Sequence, residues 1–209
     1  MTRAEAFTVA GPAGPIEARL EFADDAPPSP RAFGIACHPH PLYGGTMDNK
    51  VTHVLARAMT ERGAPAFRFN FRGVGASAGS FDNGRGETED LAAVIAEGRR
   101  RFPGADLWLG GFSFGAFVAL RAAAAARPAK LIAVAPPIAR FELGGVPNPD
   151  CDWMLVQGDA DDVVSPQAVL DWAAQLPRKP RLHVLPGAGH FFHGRLHELK
   201  PLVLDFLQA

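Results

Sequence analysis

Residues 107–115 read Leu107-Trp108-Leu109-Gly110-Gly111-Phe112-Ser113-Phe114-Gly115, and the run after them, 114–126, is nearly all alanine and other apolar residues. A short apolar run, then Gly-x-Ser-x-Gly, then a helix-forming run is a strand–turn–helix unit with a serine at the turn. Strand and helix approach closely in such a turn, so the residues two before and two after the serine must be small. Gly111 and Gly115 meet that need. The turn puts the Ser113 hydroxyl at a helix N-terminus, where unpaired N–H groups and the helix dipole favour developing negative charge. Ser113 is therefore a candidate nucleophile, and the Phe114 N–H beside it a candidate oxyanion donor. The plain alternative is a glycine-rich turn with an incidental serine. The strand and helix patterns on either side favour the nucleophile.

The same texture extends in both directions. Short apolar runs fall at Ala32–Cys37, Ala66–Phe71, Leu107–Gly111, Leu131–Ala135, Met154–Gln157 and Leu182–Leu185. Helix-like segments fall at 48–62, 87–101, 114–126, 166–176 and 195–207. This alternation predicts βαβ units and a parallel sheet. Several runs lack polar alternation, as expected where helices cover both faces. Ser165-Pro166 offers a cap and a proline at the first helical position. Before residue 31, segments 4–10 and 16–22 read as a hairpin around Gly11-Pro12-Ala13-Gly14. The breaker cluster at 24–30 reads as a loop.

Composition narrows the function. The chain has 209 residues, with 47% hydrophobic and 21% charged, which predicts one globular domain spanning 1–209. Lys plus Arg is 21 against Asp plus Glu 22, so no basic excess exists to track a phosphate backbone, and nucleic acid is not an expected partner. No apolar run approaches the ~20 residues of a bilayer span, so no membrane partner is expected. Met1–Gly11 lacks the pattern of a secretory signal. The two cysteines, Cys37 and Cys151, are too few for a disulfide framework, and the expected compartment is the cytoplasm.

In an open parallel sheet the chemistry gathers at the carboxyl ends of strands. A serine nucleophile on a turn of this kind is followed along the chain by an acid and then a histidine. After run 154–157 comes Gly158-Asp159-Ala160-Asp161-Asp162-Val163-Val164-Ser165-Pro166, with three candidate aspartates. After run 182–185 comes Pro186-Gly187-Ala188-Gly189-His190-Phe191-Phe192-His193-Gly194, with two candidate histidines. A calcium loop starting at Asp159 would need Gly and Glu where Val164 and Leu170 stand. A zinc reading of His190, His193, His197 and Glu198 lacks the H-E-x-x-H order. Gly73-Val74-Gly75-Ala76-Ser77-Ala78-Gly79 has the wrong spacing for a phosphate loop, and no G-K-[ST] occurs. No metal or cofactor is expected. Leu42, Tyr43, Phe191 and His193 are candidate pocket walls. Of Phe112, Phe114, Phe191 and Phe192, at most two should face a substrate, since buried aromatics mostly build core.

Taken together, His38–Lys50, Phe69–Ser77, Gly110–Gly115, Gln157–Pro166 and Gly187–Arg195 resemble the α/β-hydrolase superfamily. They are most similar to small lidless bacterial serine hydrolases related in shape to dienelactone hydrolases. The resemblance covers about residues 32–207 and departs from dienelactone hydrolases proper at the nucleophile, which there is a cysteine. It implies an α/β-hydrolase fold: a mostly parallel central sheet flanked by helices, with the N-terminal hairpin at one edge and no lid domain. The interval Pro136–Asp150 leaves room for at most a turn or two of helix. The resemblance places the acid at Asp161, while turn chemistry makes Asp159 a residue bonding its own backbone and Asp162 solvent-facing or capping. It places the base at His190 and the second oxyanion donor at the His40 N–H, with the Leu42 N–H as fallback, since Pro39 and Pro41 have none. His38 reads as a loop brace rather than a catalytic residue, and Gly73–Gly79 as a loop on the pocket floor, with Arg72 bonding backbone as the resemblance implies. The resemblance separates Cys37 from Cys151 by two strands, about 14 Å, too far for a disulfide.

The expected activity is a serine hydrolase, a carboxylesterase or thioesterase on small acyl groups, acting through an acyl-enzyme. The expected partner is a small-molecule ester or thioester. A peptidase or acyltransferase on the same triad is the alternative within enzymes. A non-catalytic ligand-binding relative is the alternative outside them.

Overall fold

In the computed structural model, residues 2–24, 26–141 and 148–208 are described. The strands are β1 (Thr2–Gly11), β2 (Gly14–Ala23), β3 (Ala32–Cys37), β4 (Ala66–Phe69), β5 (Asp106–Phe112), β6 (Lys130–Val134), β7 (Asp152–Gly158) and β8 (Arg181–Leu185). The helices are α1 (Lys50–Glu61), α2 (Arg85–Arg101), α3 (Phe114–Ala126), α4 (Pro166–Gln175) and α5 (Leu196–Gln208). The strands form one sheet in the order β1-β2-β4-β3-β5-β6-β7-β8. From β4 to β8 all pairings are parallel, and the β1–β2 hairpin joins β4 antiparallel. The mostly parallel sheet and the edge hairpin are thus as the sequence predicts.

Two apolar layers sandwich the sheet. One packs α1 and α5 through Val51, Leu55, Met59, Leu199, Val203 and Phe206. The other packs α2, α3 and α4 through Leu91, Val94, Phe117, Leu120 and Val169. Covered on both faces, β3 and β4 are buried at every position. At the sheet edge, β8 leaves Leu182 and Val184 exposed. Helix α3 is buried over most of its surface, as its alanine-rich sequence requires.

Element limits shift where a side chain captures the backbone. β4 ends at Phe69 rather than Phe71, because the Phe71 N–H donates to His38 Nε2 (3.0 Å) and the Asn70 N–H to the Glu17 carbonyl (2.9 Å). α2 begins at Arg85 rather than 87, because the buried Glu87 carboxylate accepts the Gly84 and Asp82 N–H groups at its start. The Ser165 Oγ accepts the Ala168 N–H and caps α4.

β3 has β4 on one side and β5 on the other, so the strand order reverses there and a crevice opens at the carboxyl ends. Between β6 and β7, residues 142–147 lie outside the described residues. The described part of that interval forms no cap domain. Cys37 and Cys151 are both free and buried.

Candidate active site

Ser113 joins β5 to α3 with φ 52° and ψ −120°, a strained conformation for a residue bearing a side chain. Its N–H still bonds the Val134 carbonyl (2.8 Å), so the sheet continues into the turn. A Cβ on Gly111 would collide with the Gly115 carbonyl, and one on Gly115 with the carbonyls of Cys37 and His38. Both glycines are needed because backbone meets backbone there.

Asp161 follows β7 and His190 follows β8. Asp161 Oδ2 accepts the His190 Nδ1–H at 2.8 Å, and His190 Nε2 accepts the Ser113 hydroxyl at 3.0 Å. Asp161 Oδ1 accepts the N–H groups of Val163 (2.9 Å) and Val164 (2.7 Å). Burial opposes ionisation of Asp161, but the His190 bond and the two backbone donors outweigh it, holding the carboxyl below its ordinary value. Asp161 therefore accepts as a carboxylate and fixes the tautomer that leaves Nε2 free to take a proton. The His190 ring packs beside both Phe112 and Phe191, at 5.1 Å from each. Ser113 and His190 are buried but open into one cavity of about 490 Å³.

The competing residues point elsewhere. Asp159 accepts the Gly187 N–H (2.6 Å) and ties the two loops together, rather than bonding its own turn. Asp162 is exposed. His193 is exposed and stacks on Phe191 at 5.7 Å. Among the described residues no group of His, Cys, Asp and Glu converges as a metal site would require.

His38 is a brace. Its Nδ1–H donates to the Pro39 carbonyl (2.6 Å) while Nε2 accepts from Phe71. Burial, above all, pushes its pKa down to about 4. After it the chain turns through a short 3-10 helix at Pro41–Tyr43. The Leu42 N–H is spent on His40 Nδ1 (3.2 Å), which removes the fallback oxyanion donor. Among the described residues, no protein group accepts from the N–H of His40 or of Phe114.

Four expectations need correction. Leu42 does not line the cavity: the turn that gives its N–H to His40 leaves its side chain 67% exposed on the outer surface. His193 does not line it either: it is exposed and stacks on Phe191. The loop Gly73–Gly79 packs on the hairpin at Ala13, Gly14 and Pro15, away from the cavity floor. Arg72 grips the Asp90 carboxylate through Nε and Nη2 rather than a backbone carbonyl. Tyr43, Phe114 and Phe191 do line the cavity, whereas Phe112 and Phe192 are core.

Three further residues escaped the sequence reading. Gln157, fully buried, donates from Nε2 to Asp161 Oδ2 at 3.0 Å. Its signal was a lone polar residue ending an apolar strand. Arg140 and Phe141 line the cavity from the β6–β7 loop, where sequence carries no periodic signal.

Comparison with known proteins is consistent with this arrangement. A family model described as serine aminopeptidase, S33, matches residues 42–149, a span that includes Ser113 and ends before Asp161 and His190. The uncharacterized protein RP471 of Rickettsia prowazekii is 35% identical over 94% of this chain and 86% of its own. XC6422 of Xanthomonas campestris, described as an α/β serine hydrolase without a lid, is 44% identical over 99% of this chain and 94% of its own, with TM-score 0.94. An α/β serine hydrolase homologue from Coxiella burnetii is 43% identical over 96% of both chains, with TM-score 0.91.

Proposed function

This chain belongs to the α/β-hydrolase family of serine hydrolases, and on that premise we propose that it is a carboxylesterase or thioesterase working through Ser113, His190 and Asp161. The observation that carries the reading is the hydrogen-bonded series from Ser113 Oγ through His190 to Asp161, with Ser113 and His190 facing one cavity. Ser113 Oγ attacks the ester carbonyl as its proton passes to His190 Nε2. The His40 and Phe114 N–H groups hold the oxyanion. As the tetrahedral intermediate collapses, His190 gives its proton to the departing alcohol or thiol, leaving Ser113 acylated. Water, deprotonated by the same histidine, then releases the acid.

An aminopeptidase needs a carboxylate to hold the substrate amine. Among the described residues lining this cavity none is acidic, and Arg140 is cationic, which favours esters. The non-catalytic alternative is disfavoured because all three residues are present and in bonding contact.

The test is labelling and turnover. The protein should hydrolyse short p-nitrophenyl esters and take up a fluorophosphonate at Ser113. Equal labelling of the Ser113→Ala variant would overturn the mechanism.

A further inference from the structure

The cavity lining combines two chemically different groups of residues. One is His190 and Phe191 with Val163 and Val164. The other is an aromatic wall of His40, Phe114 and Phe141, with ring centroids 5.1 Å apart for His40–Phe114 and 5.3 Å for Phe114–Phe141. Arg140, next in the chain to Phe141, lines the cavity too. The charge of Arg140 reaches His40: burial first, and then this cation, hold the imidazole below its ordinary pKa.

The other arginines near the sheet ends are spoken for. Arg68 is paired with Glu21 and Asp48, Arg72 with Asp90 and Glu89, and Arg195 with Glu198. Among the described residues no carboxylate pairs with Arg140, and none lines the cavity. A cation facing a cavity with no anion beside it among the described residues is matched by a ligand that brings one.

Which part of the substrate brings it follows from the chemistry. The leaving group must depart on the side of His190, which protonates it. We propose that the acyl group runs the other way, past the aromatic wall, and that Arg140 is a specificity residue that selects acyl groups carrying a carboxylate, so that the preferred substrates are half-esters or half-thioesters of dicarboxylic acids. This deepens the esterase reading above and rests on it.

The experiment compares the p-nitrophenyl ester of hexanoate with the mono-p-nitrophenyl ester of hexanedioate, equal in chain length and different in terminal charge. The readout is the ratio of kcat/KM for the charged over the neutral ester. Wild type should favour the charged ester about two- to fivefold at low salt, the range of an exposed arginine–carboxylate pair. Arg140→Gln should bring the ratio near unity, Arg140→Glu should invert it, and about 1 M salt should erase the wild-type preference. A ratio unchanged in Arg140→Gln overturns the proposal. Para-carboxyphenyl hexanoate carries its charge on the leaving group. A dependence on Arg140 seen with that ester instead overturns the acyl-side assignment.

A binding arm separates this proposal from the esterase reading. Monomethyl hexanedioate is titrated calorimetrically into Ser113→Ala and into the Ser113→Ala/Arg140→Gln double variant. Weaker binding to the double variant supports the anion site even if wild type hydrolyses no ester. Equal binding overturns the anion site even if esters are hydrolysed.

Discussion

Gln157 and His190 converge on one oxygen of Asp161. The Gln157 Nε2–H reaches Oδ2 at 3.0 Å and the His190 Nδ1–H reaches the same atom at 2.8 Å. Gln157 is fully buried, and its Nε2 also donates to the Gly158 carbonyl at 3.1 Å. A neutral donor there stabilises the carboxylate and holds its plane without competing for the histidine proton.

Gln157 is accordingly expected to act as a positioning residue. Gln157→Met should lower kcat about tenfold, the scale of one buried hydrogen bond to a charged acceptor. It should also move the acid limb of kcat/KM upward, since losing the donor favours protonation of the His190–Asp161 pair. Gln157→Glu should be worse, because two adjacent carboxylates must share a proton. A merely structural role would lower melting temperature and leave the acid limb in place.

The geometry separates the neighbouring aspartates. Asp161→Asn should cut kcat by about 10³–10⁴, because an amide no longer holds the catalytic tautomer. Asp162→Asn should fall within a few-fold of wild type, since that side chain is exposed. Comparable losses in the two variants would remove Asp161 from the role assigned to it.

Strain at Ser113 has a stability signature. At φ 52° and ψ −120° a Cβ is disfavoured, so Ser113→Gly should raise stability while abolishing ester turnover. The gain should be about 1 kcal/mol, after the greater flexibility of glycine in the unfolded chain offsets part of the relief. Ser113→Ala, which keeps the Cβ, should show no such gain. Denaturant unfolding of both variants checks the difference.

His38 makes stability depend on pH. The unfolded chain protonates a histidine near 6.5, whereas the folded chain resists until about pH 4. Between these values the unfolded state binds more protons, so the folded state gains stability as pH rises and holds the full amount above about 6.5. The loss on acidification to pH 4 should be on the order of 3 kcal/mol. His38→Gln should be less stable at pH 7 and show a shallower dependence between pH 4 and 6.5. Parallel curves for the two proteins, measured by urea unfolding, would contradict this.

Much of the molecule was legible before its structure. β3 and α3 fall where the apolar runs predict, because a strand buried on both faces must be apolar throughout and α3 is covered over most of its surface. Ser113 was legible because Gly111 and Gly115 report a backbone approach that no larger residue tolerates. The choice among Asp159, Asp161 and Asp162 was not a matter of composition. All three follow β7, and only the register of the turn decides which carboxylate faces His190. Leu42 and His193 lie off the cavity for the same reason: chain neighbours of a site residue in a turn point in different directions.

By itself, then, the sequence determined the strand and helix order, the turn that bears Ser113, and the chain order of acid and histidine. These are local matters of hydrophobic period and permitted backbone angles. The tertiary structure alone decided that Gln157 reaches Asp161, that Arg72 is taken by Asp90, and that Arg140 faces the cavity. Those relations depend on which strand ends and loops the sheet brings together, and side-chain partners across such distances follow from packing rather than from any periodic pattern.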